Sequence, residues 1–231
     1  MRRATSQALG IVASLVLAGA ATAGDIRNPY QAGLAAEDAG DFRQAERHYT
    51  EAIAVGLRTG DSYRNRAWSR FKLKRYAEAK ADAEMVWKMD RKAGKALLVI
   101  GLCDERMGHR ARALEKYREF NRLFPYDPRG YDYAAWILAV SPQKQLRNAP
   151  EALRLARKSY ELCKGREWHA ADTLAAAYAA NGDFTNAVKL QHIAIELGAT
   201  APKRDRDAEL QQRLQLYEDR KPFIESAASS N

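Results

Sequence analysis

The residue types that most often carry chemistry are sparse in this chain and are not grouped. The histidines His48, His109, His169 and His192 lie far apart, and none belongs to an HExxH or cysteine-rich metal motif. The chain has no GxSxG nucleophile motif, no GxxxxGKS/T phosphate loop and no dinucleotide-binding motif. Adjacent carboxylates are explained by solvation on a polar helix face. We therefore expect a non-enzymatic protein without cofactor or metal.

Charged residues could also serve a function, and they are unevenly distributed along the chain. The 231-residue chain has a formal net charge of +9, and residues 64–95 hold eleven bases and four acids. These bases could form a solvated helix face, or a surface that steers an acidic partner. A mean hydropathy of −0.54 excludes a polytopic membrane protein, and 46% hydrophobic residues argue against wholesale disorder.

The N-terminus has the order of regions found in secretory signal peptides. Arg2 and Arg3 precede an apolar run over 8–20, and the small-x-small site Ala21-Thr22-Ala23 follows. We predict that residues 1–23 are a signal peptide, cleaved before Gly24. An uncleaved anchor is the alternative, although the apolar run is shorter than the roughly 20 residues that span a bilayer.

Small residues then recur with one period along the chain. Gly33, Ala67, Gly101 and Ala135 are each 34 positions apart, and Ala45, Ala79 and Ala113 repeat the same step. A fixed period of this length indicates a stacked repeat array. Apolar residues at helical spacing lie on both sides of a short break in each unit, so each unit reads as two helices. The sequence predicts an all-α solenoid.

These units resemble the tetratricopeptide repeat family. The clearest is SYRNRAWSRFKLKRYAEAKADAEMVWKMD, and the third unit ends in Pro125, where the family favours proline. The resemblance covers roughly residues 26–199 and implies a right-handed superhelix of about five helical hairpins. Arg110 departs from the pattern because it replaces an aromatic residue.

The repeat register gives the predicted organisation of the chain. The five units are 24–58, 59–92, 93–126, 127–165 (with a longer loop at Ser141–Pro150) and 166–199. Leu210, Leu214 and Tyr217 share one face of a predicted capping helix over 200–224. We expect residues 225–231 to be a disordered tail.

The resemblance also implies a binding surface, because in tetratricopeptide arrays the first helix of each unit lines a concave groove that usually holds ligand peptides. Register with the family assigns to this groove Arg64, Trp68, Phe71, Lys72, Lys95, Leu98, Leu102, Arg106, Asp132 and Trp136. Trp68 and Trp136 could instead be core residues at helix interfaces. The carboxylate clamp of the family's chaperone-binding members is not expected, since only Asn65 and Lys95 match it.

Cys103 and Cys163 lie in different units and in different helices of those units. A disulfide requires Cα atoms within about 7 Å of each other, which a first and a second helix one repeat apart seldom provide. We favour two thiols, although the predicted exported compartment permits a disulfide.

Two functions remain open from the sequence. The first is a scaffold in the cell envelope, most simply the periplasm, that binds a protein or peptide in the groove; an acidic partner would fit the basic segment. The second is an adaptor whose basic surface contacts anionic glycan or lipid headgroups. An exported protein is not expected to bind nucleic acid, and we expect at most peripheral membrane contact.

Overall fold

The computed structural model describes residues 28–199 and 206–226, and no strand occurs within these ranges. The predicted signal peptide and most of the predicted tail lie outside the described residues. The prediction of an all-α solenoid is confirmed, because ten helices form five consecutive hairpins and an eleventh follows them.

The helices fall in pairs inside the predicted units. Unit one contains α1 (Pro29–Asp38) and α2 (Phe42–Ala54), and unit two contains α3 (Thr59–Lys72) and α4 (Tyr76–Met89). Unit three contains α5 (Gly94–Arg106) and α6 (Arg110–Leu123); unit four contains α7 (Pro128–Val140) and α8 (Ala149–Leu162). Unit five contains α9 (Trp168–Ala180) and α10 (Phe184–Ala199), and α11 (Arg206–Glu218) comes last.

The turn inside a hairpin requires a left-handed backbone. Gly40, Gly108 and Gly182 have φ of 75°, 81° and 79°, which glycine adopts without steric conflict. In unit two the same position is Lys74, with φ of 62°. The hairpin geometry is therefore kept in unit two even though a side chain must occupy an unfavourable conformation there.

The close packing inside a hairpin depends on the recurrent small residues. A Cβ atom on Gly33 would lie 2.5 Å from the Tyr49 ring, and one on Gly101 would lie 2.4 Å from the Tyr117 ring. Both tyrosines are fully buried, so each ring occupies the space that the glycine leaves. Each hydroxyl then donates to a glutamate on the first helix: Tyr49 to Glu37 at 2.7 Å and Tyr117 to Glu105 at 3.1 Å.

The first helices lie on the inner side of the array. Among the described helices, α3 packs on α5 and α7 packs on α9, whereas second helices of neighbouring units make no comparable contact. A stack whose first helices are closer together than its second helices must curve toward the first helices. The surface formed by α3, α5, α7 and α9 is called the groove below.

The chain returns to the groove after α11. The predicted capping helix ran to residue 224, but α11 ends at Glu218 and residues 221–226 continue without helix. The Glu225 amide donates to the Val140 carbonyl at the end of α7, at 2.9 Å. Glu225 was predicted to begin a disordered tail, and the structure corrects this for that residue because long-range hydrogen bonds hold it.

Candidate functional site

The residues of unit two that the repeat register assigns to the groove include an aromatic cluster with a cation. The rings of Trp68 and Phe71 stack with centroids 5.6 Å apart and an interplanar angle of 6°. The Lys72 ammonium lies 4.9 Å from the Trp68 ring centroid and 5.8 Å from that of Phe42. Trp68 is 37% exposed, so part of its ring is open to a ligand. We call Trp68, Phe71 and Lys72 the unit-two cluster.

Arg64, which the register also assigns to the groove of unit two, has a different environment. Arg64 is exposed and pairs with Asp61 at 2.6 Å. This arginine, together with Arg58, lowers the pKa of the Asp61 carboxyl through hydrogen bonds that outweigh the effect of burial. Arg64 must therefore give up its ion pair with Asp61 before its guanidinium can bind a ligand.

Much of the basic segment is paired inside the protein. Arg66 makes a bidentate pair with Asp82, with both bonds at 2.8 Å, and Arg70 donates to the same carboxylate at 2.8 Å. Arg70 also donates to Glu46 in α2 at 2.9 Å, while Lys80 donates to Asp104 in α5 at 2.7 Å. The Asp82 pairs join the two helices of unit two, and the pairs with Glu46 and Asp104 join unit two to its neighbours. The segment therefore exposes fewer unpaired cations than its sequence suggests.

A larger site lies farther along the groove, where α5, α7, α9 and α11 converge. Four of the predicted residues, Leu102, Arg106, Asp132 and Trp136, line one cavity of about 310 Å³ there. Arg106 and Trp136 also line an adjoining cavity of about 610 Å³, with Arg110 at the start of α6 and Arg213 of α11. The two cavities share walls, and we call them together the central cavity.

Buried polar groups fix the walls of the central cavity. Arg213, whose side chain is 7% exposed, donates to Asp172 at 2.8 Å, and Gln191 donates to the same oxygen at 3.0 Å. Burial raises the pKa of the Asp172 carboxyl, although both donors oppose that shift. Burial likewise raises the pKa of Glu105, against the Tyr117 hydrogen bond.

One histidine belongs to this cavity. His169 Nδ1 lies 3.1 Å from Asp132 Oδ2, and this hydrogen bond raises the pKa of His169 despite its partial burial. In the described ranges no group of three or more His, Cys, Asp or Glu side chains is placed to hold a metal ion. His169 is thus an ion-pair partner of the cavity wall.

Two of the remaining predicted residues line neither cavity. Leu98 is 4% exposed and packs in the main hydrophobic core, so we correct its assignment to the accessible groove. Lys95 is exposed in the first turn of α5.

Solved structures share this architecture at low sequence identity. A MamA structure from Desulfovibrio magneticus superposes with a TM-score of 0.62 at 15% identity, covering 76% of this chain and 96% of that one. A thermophilic TPR protein of Thermus thermophilus gives a TM-score of 0.61 at 15% identity, with 83% and 97% covered. The chain has the fold of a tetratricopeptide-repeat solenoid.

The other comparisons gave a further structural neighbour and no match among protein families or curated proteins. No protein-family model and no curated protein matches the chain. YrrB, described as a TPR protein with an unusual peptide-binding site, superposes with a TM-score of 0.54 at 16% identity, covering 73% of this chain and 84% of that one. None of the described helices of this tetratricopeptide-repeat solenoid has the length and apolar character needed to cross a membrane.

Sequence reasoning missed several residues of the solenoid's central cavity. Arg213 of the predicted capping helix was not assigned to any site, and neither were Phe223 and Glu225. Arg110 was noted only as a departure from the repeat pattern. That departure was the one available signal, because a cation replaces an aromatic residue at a position next to the groove.

Both cysteines are free thiols, as favoured from the sequence. Cys103 is fully buried, and burial raises its pKa to about 12. Cys163 is half-buried, and burial raises its pKa as well. Neither thiol has the low pKa of a reactive cysteine.

Proposed function

We propose that this protein is a non-enzymatic interaction scaffold of the cell envelope that binds a protein or peptide along the groove. The observation that supports this most is the unit-two cluster. It contains a partly exposed Trp68, stacked on Phe71 and close to Lys72, on the first helix α3. Tryptophan is among the residues that dominate the binding energy of many protein interfaces.

The cluster suggests the chemistry of its ligand. The partly exposed indole ring of Trp68 offers stacking area to an apolar side chain, and the stacked Phe71 ring limits its movement. Lys72 can donate charge-assisted hydrogen bonds to a carboxylate beside that area. An acidic, partly apolar peptide is therefore the ligand that fits the unit-two cluster.

The envelope location rests on the predicted signal peptide alone. That segment is outside the described residues, so the location depends on the charged, apolar and small-residue order of residues 1–23. An exported scaffold would meet protein partners in the periplasm.

The adaptor for anionic glycan or lipid has less support. It needs a cationic surface, yet Arg66, Arg70, Arg75 and Lys80 all pair with acids of the protein itself. Binding that depended on the remaining bases would weaken strongly with added salt. Binding through Trp68 should persist, so salt dependence separates the two functions.

The test is the affinity of variants for a partner captured from the envelope fraction. Trp68→Ala should weaken binding by about 2 kcal/mol or more, which is roughly thirtyfold. Met85→Ala is a matched control, because Met85 of α4 is also 37% exposed but lies on a second helix. Unchanged affinity in a folded Arg64→Ala/Trp68→Ala/Lys72→Ala variant would place the binding site elsewhere.

A further inference from the structure

The segment after α11 forms one wall of the central cavity and is bound there in the manner of a peptide. Residues 221–226 follow α11 without helical structure, and Phe223, Ile224, Glu225 and Ser226 line the larger cavity. The segment is anchored through its backbone, since the Glu225 amide donates to the Val140 carbonyl. The groove therefore already accommodates an extended peptide at this place.

The Glu225 carboxylate is recognised by two donors, one to each oxygen. Arg110 Nη2 donates to Oε2 at 2.6 Å, and Trp136 Nε1 donates to Oε1 at 2.8 Å. The Arg110 side chain is 12% exposed, so the ion pair is shielded from solvent. Charge-assisted hydrogen bonds of this kind are stronger than neutral ones and fix the position of the carboxylate.

The Phe223 ring is recognised two residues earlier. Its centroid lies 6.0 Å from that of Trp136, and the Arg213 guanidinium carbon lies 5.4 Å from the Phe223 centroid and 5.5 Å from that of Trp136. Arg213 is itself held by Asp172. The cation and the indole ring thus form a preorganised seat for an aromatic side chain.

We propose that Arg110, Trp136 and Arg213 form a binding site for peptide segments with an aromatic residue two positions before a carboxylate. The chain's own Phe223–Glu225 fills this site, and a partner segment with the same pattern displaces it. The inference rests on the proposed function in that the partner is a protein, but the site lies in units three and four rather than at the unit-two cluster.

The internal segment is held in a way that permits exchange. Lys221, Pro222 and Ser226 are exposed, and Ile224 is half-buried. Glu105 also faces the site. The negative charge of Glu225 contributes to the raised pKa of Glu105, so the two carboxylates repel each other while the segment is bound. A tethered segment nevertheless competes at an effective concentration in the millimolar range, so it should weaken the apparent affinity of any peptide added in solution.

The experiment measures binding of a fluorescein-labelled KPFIES peptide, residues 221–226, by fluorescence anisotropy. The full-length Phe223→Ala/Glu225→Ala protein, here called the release variant, should bind the peptide at least tenfold more tightly than the wild type. Tyr126→Ala/Glu161→Ala is the matched control and should bind as the wild type does, because it removes an exposed aromatic residue and an exposed acid that do not line the cavity.

Further variants test which residues recognise the peptide. Arg110→Ala in the release variant should reduce peptide affinity at least tenfold, and a KPAIAS peptide should not bind. Equal binding of KPFIES to the wild type and the release variant, or no binding to either, would overturn the inference. No natural partner is used, so that result would leave the Trp68 test of the proposed function unaffected.

A measurement on the wild type tests displacement even if the release variant does not fold. Hydrogen exchange at the Glu225 amide should be slow in the free protein, because the amide is bonded to Val140, and should accelerate when excess KPFIES peptide is added. Exchange that is fast without peptide, or unchanged by saturating peptide, contradicts displacement.

Discussion

His169 and Asp132 show how one residue pair at the cavity wall gives the protein a dependence on pH. Asp132 is 5% exposed and was assigned from the repeat register to the groove, where it lines the smaller cavity. Its hydrogen bond to His169 favours the protonated imidazole and so raises the pKa of that histidine. The folded state therefore holds this proton more tightly than the unfolded state does.

The stability that this pair provides should decrease as the pH rises. It is fully present below the pKa of an unfolded histidine, about 6.5, and is lost as the pH passes through the raised pKa of the folded state. We expect the difference in unfolding free energy between the wild type and His169→Gln to shrink between pH 6 and pH 8.5. Urea unfolding at several pH values measures it, and a difference that grows with pH would contradict the assignment.

At the scale of the helix, two of the hairpins combine a small and a large residue in a complementary pair. Gly33 faces Tyr49 and Gly101 faces Tyr117, whereas the residues at the corresponding positions of unit two are Ala67 and Ala83, both buried. In units one and three the volume missing from the first helix is thus supplied by the second, and these two hairpins pack closely.

A glycine-to-alanine comparison tests this packing. Gly101→Ala would place a Cβ atom 2.4 Å from Tyr117, and overpacking of this kind costs about 1–3 kcal/mol. Gly60→Ala is the matched control, because Gly60 also lies in a helix and a Cβ atom there meets nothing within 4 Å. Thermal unfolding should show a lower melting temperature for Gly101→Ala and no loss for Gly60→Ala. A Gly101→Ala protein as stable as the wild type would refute the contact.

The helical hairpins were predictable because their signals are local and periodic. Small residues every 34 positions set the register, and glycines at the turns marked the breaks between helices. Even the longer loop of unit four is visible in the spacing from Ala135 to Ala152, and the structure places a short 3-10 helix, Lys144–Leu146, within it.

The site was predictable only in part, because some of its contacts join residues distant in sequence. Trp136 bonds to Glu225 across 89 positions, and nothing in the non-periodic segment 221–226 indicates that partner. Asp82 was counted among the acids of the basic segment, but it is 3% exposed and binds Arg66 and Arg70 across the two helices of unit two. Leu98 has the register of a groove residue, yet it packs in the main hydrophobic core.

At the scale of the whole molecule, we propose two recognition regions on the inner side of the array. The unit-two cluster is partly open, whereas the seat formed by Arg110, Trp136 and Arg213 is filled by Phe223 and Glu225 of the same chain. A partner that contacts both regions would gain from each, since the second contact forms at high effective concentration once the first has formed. The curvature of the solenoid thus places both regions on the surface where we propose that a partner binds.

The most direct test of binding along the groove is site-specific photo-crosslinking. A benzophenone amino acid is introduced at Lys95 on the first helix α5 or at Met85 on the second helix α4, two exposed positions that leave Trp68 in place. After irradiation of the envelope fraction, denaturing gels and mass spectrometry identify the crosslinked partner. Binding in the groove predicts a defined product from position 95 and none from position 85. A product from position 85 alone, or equal products from both, would contradict it.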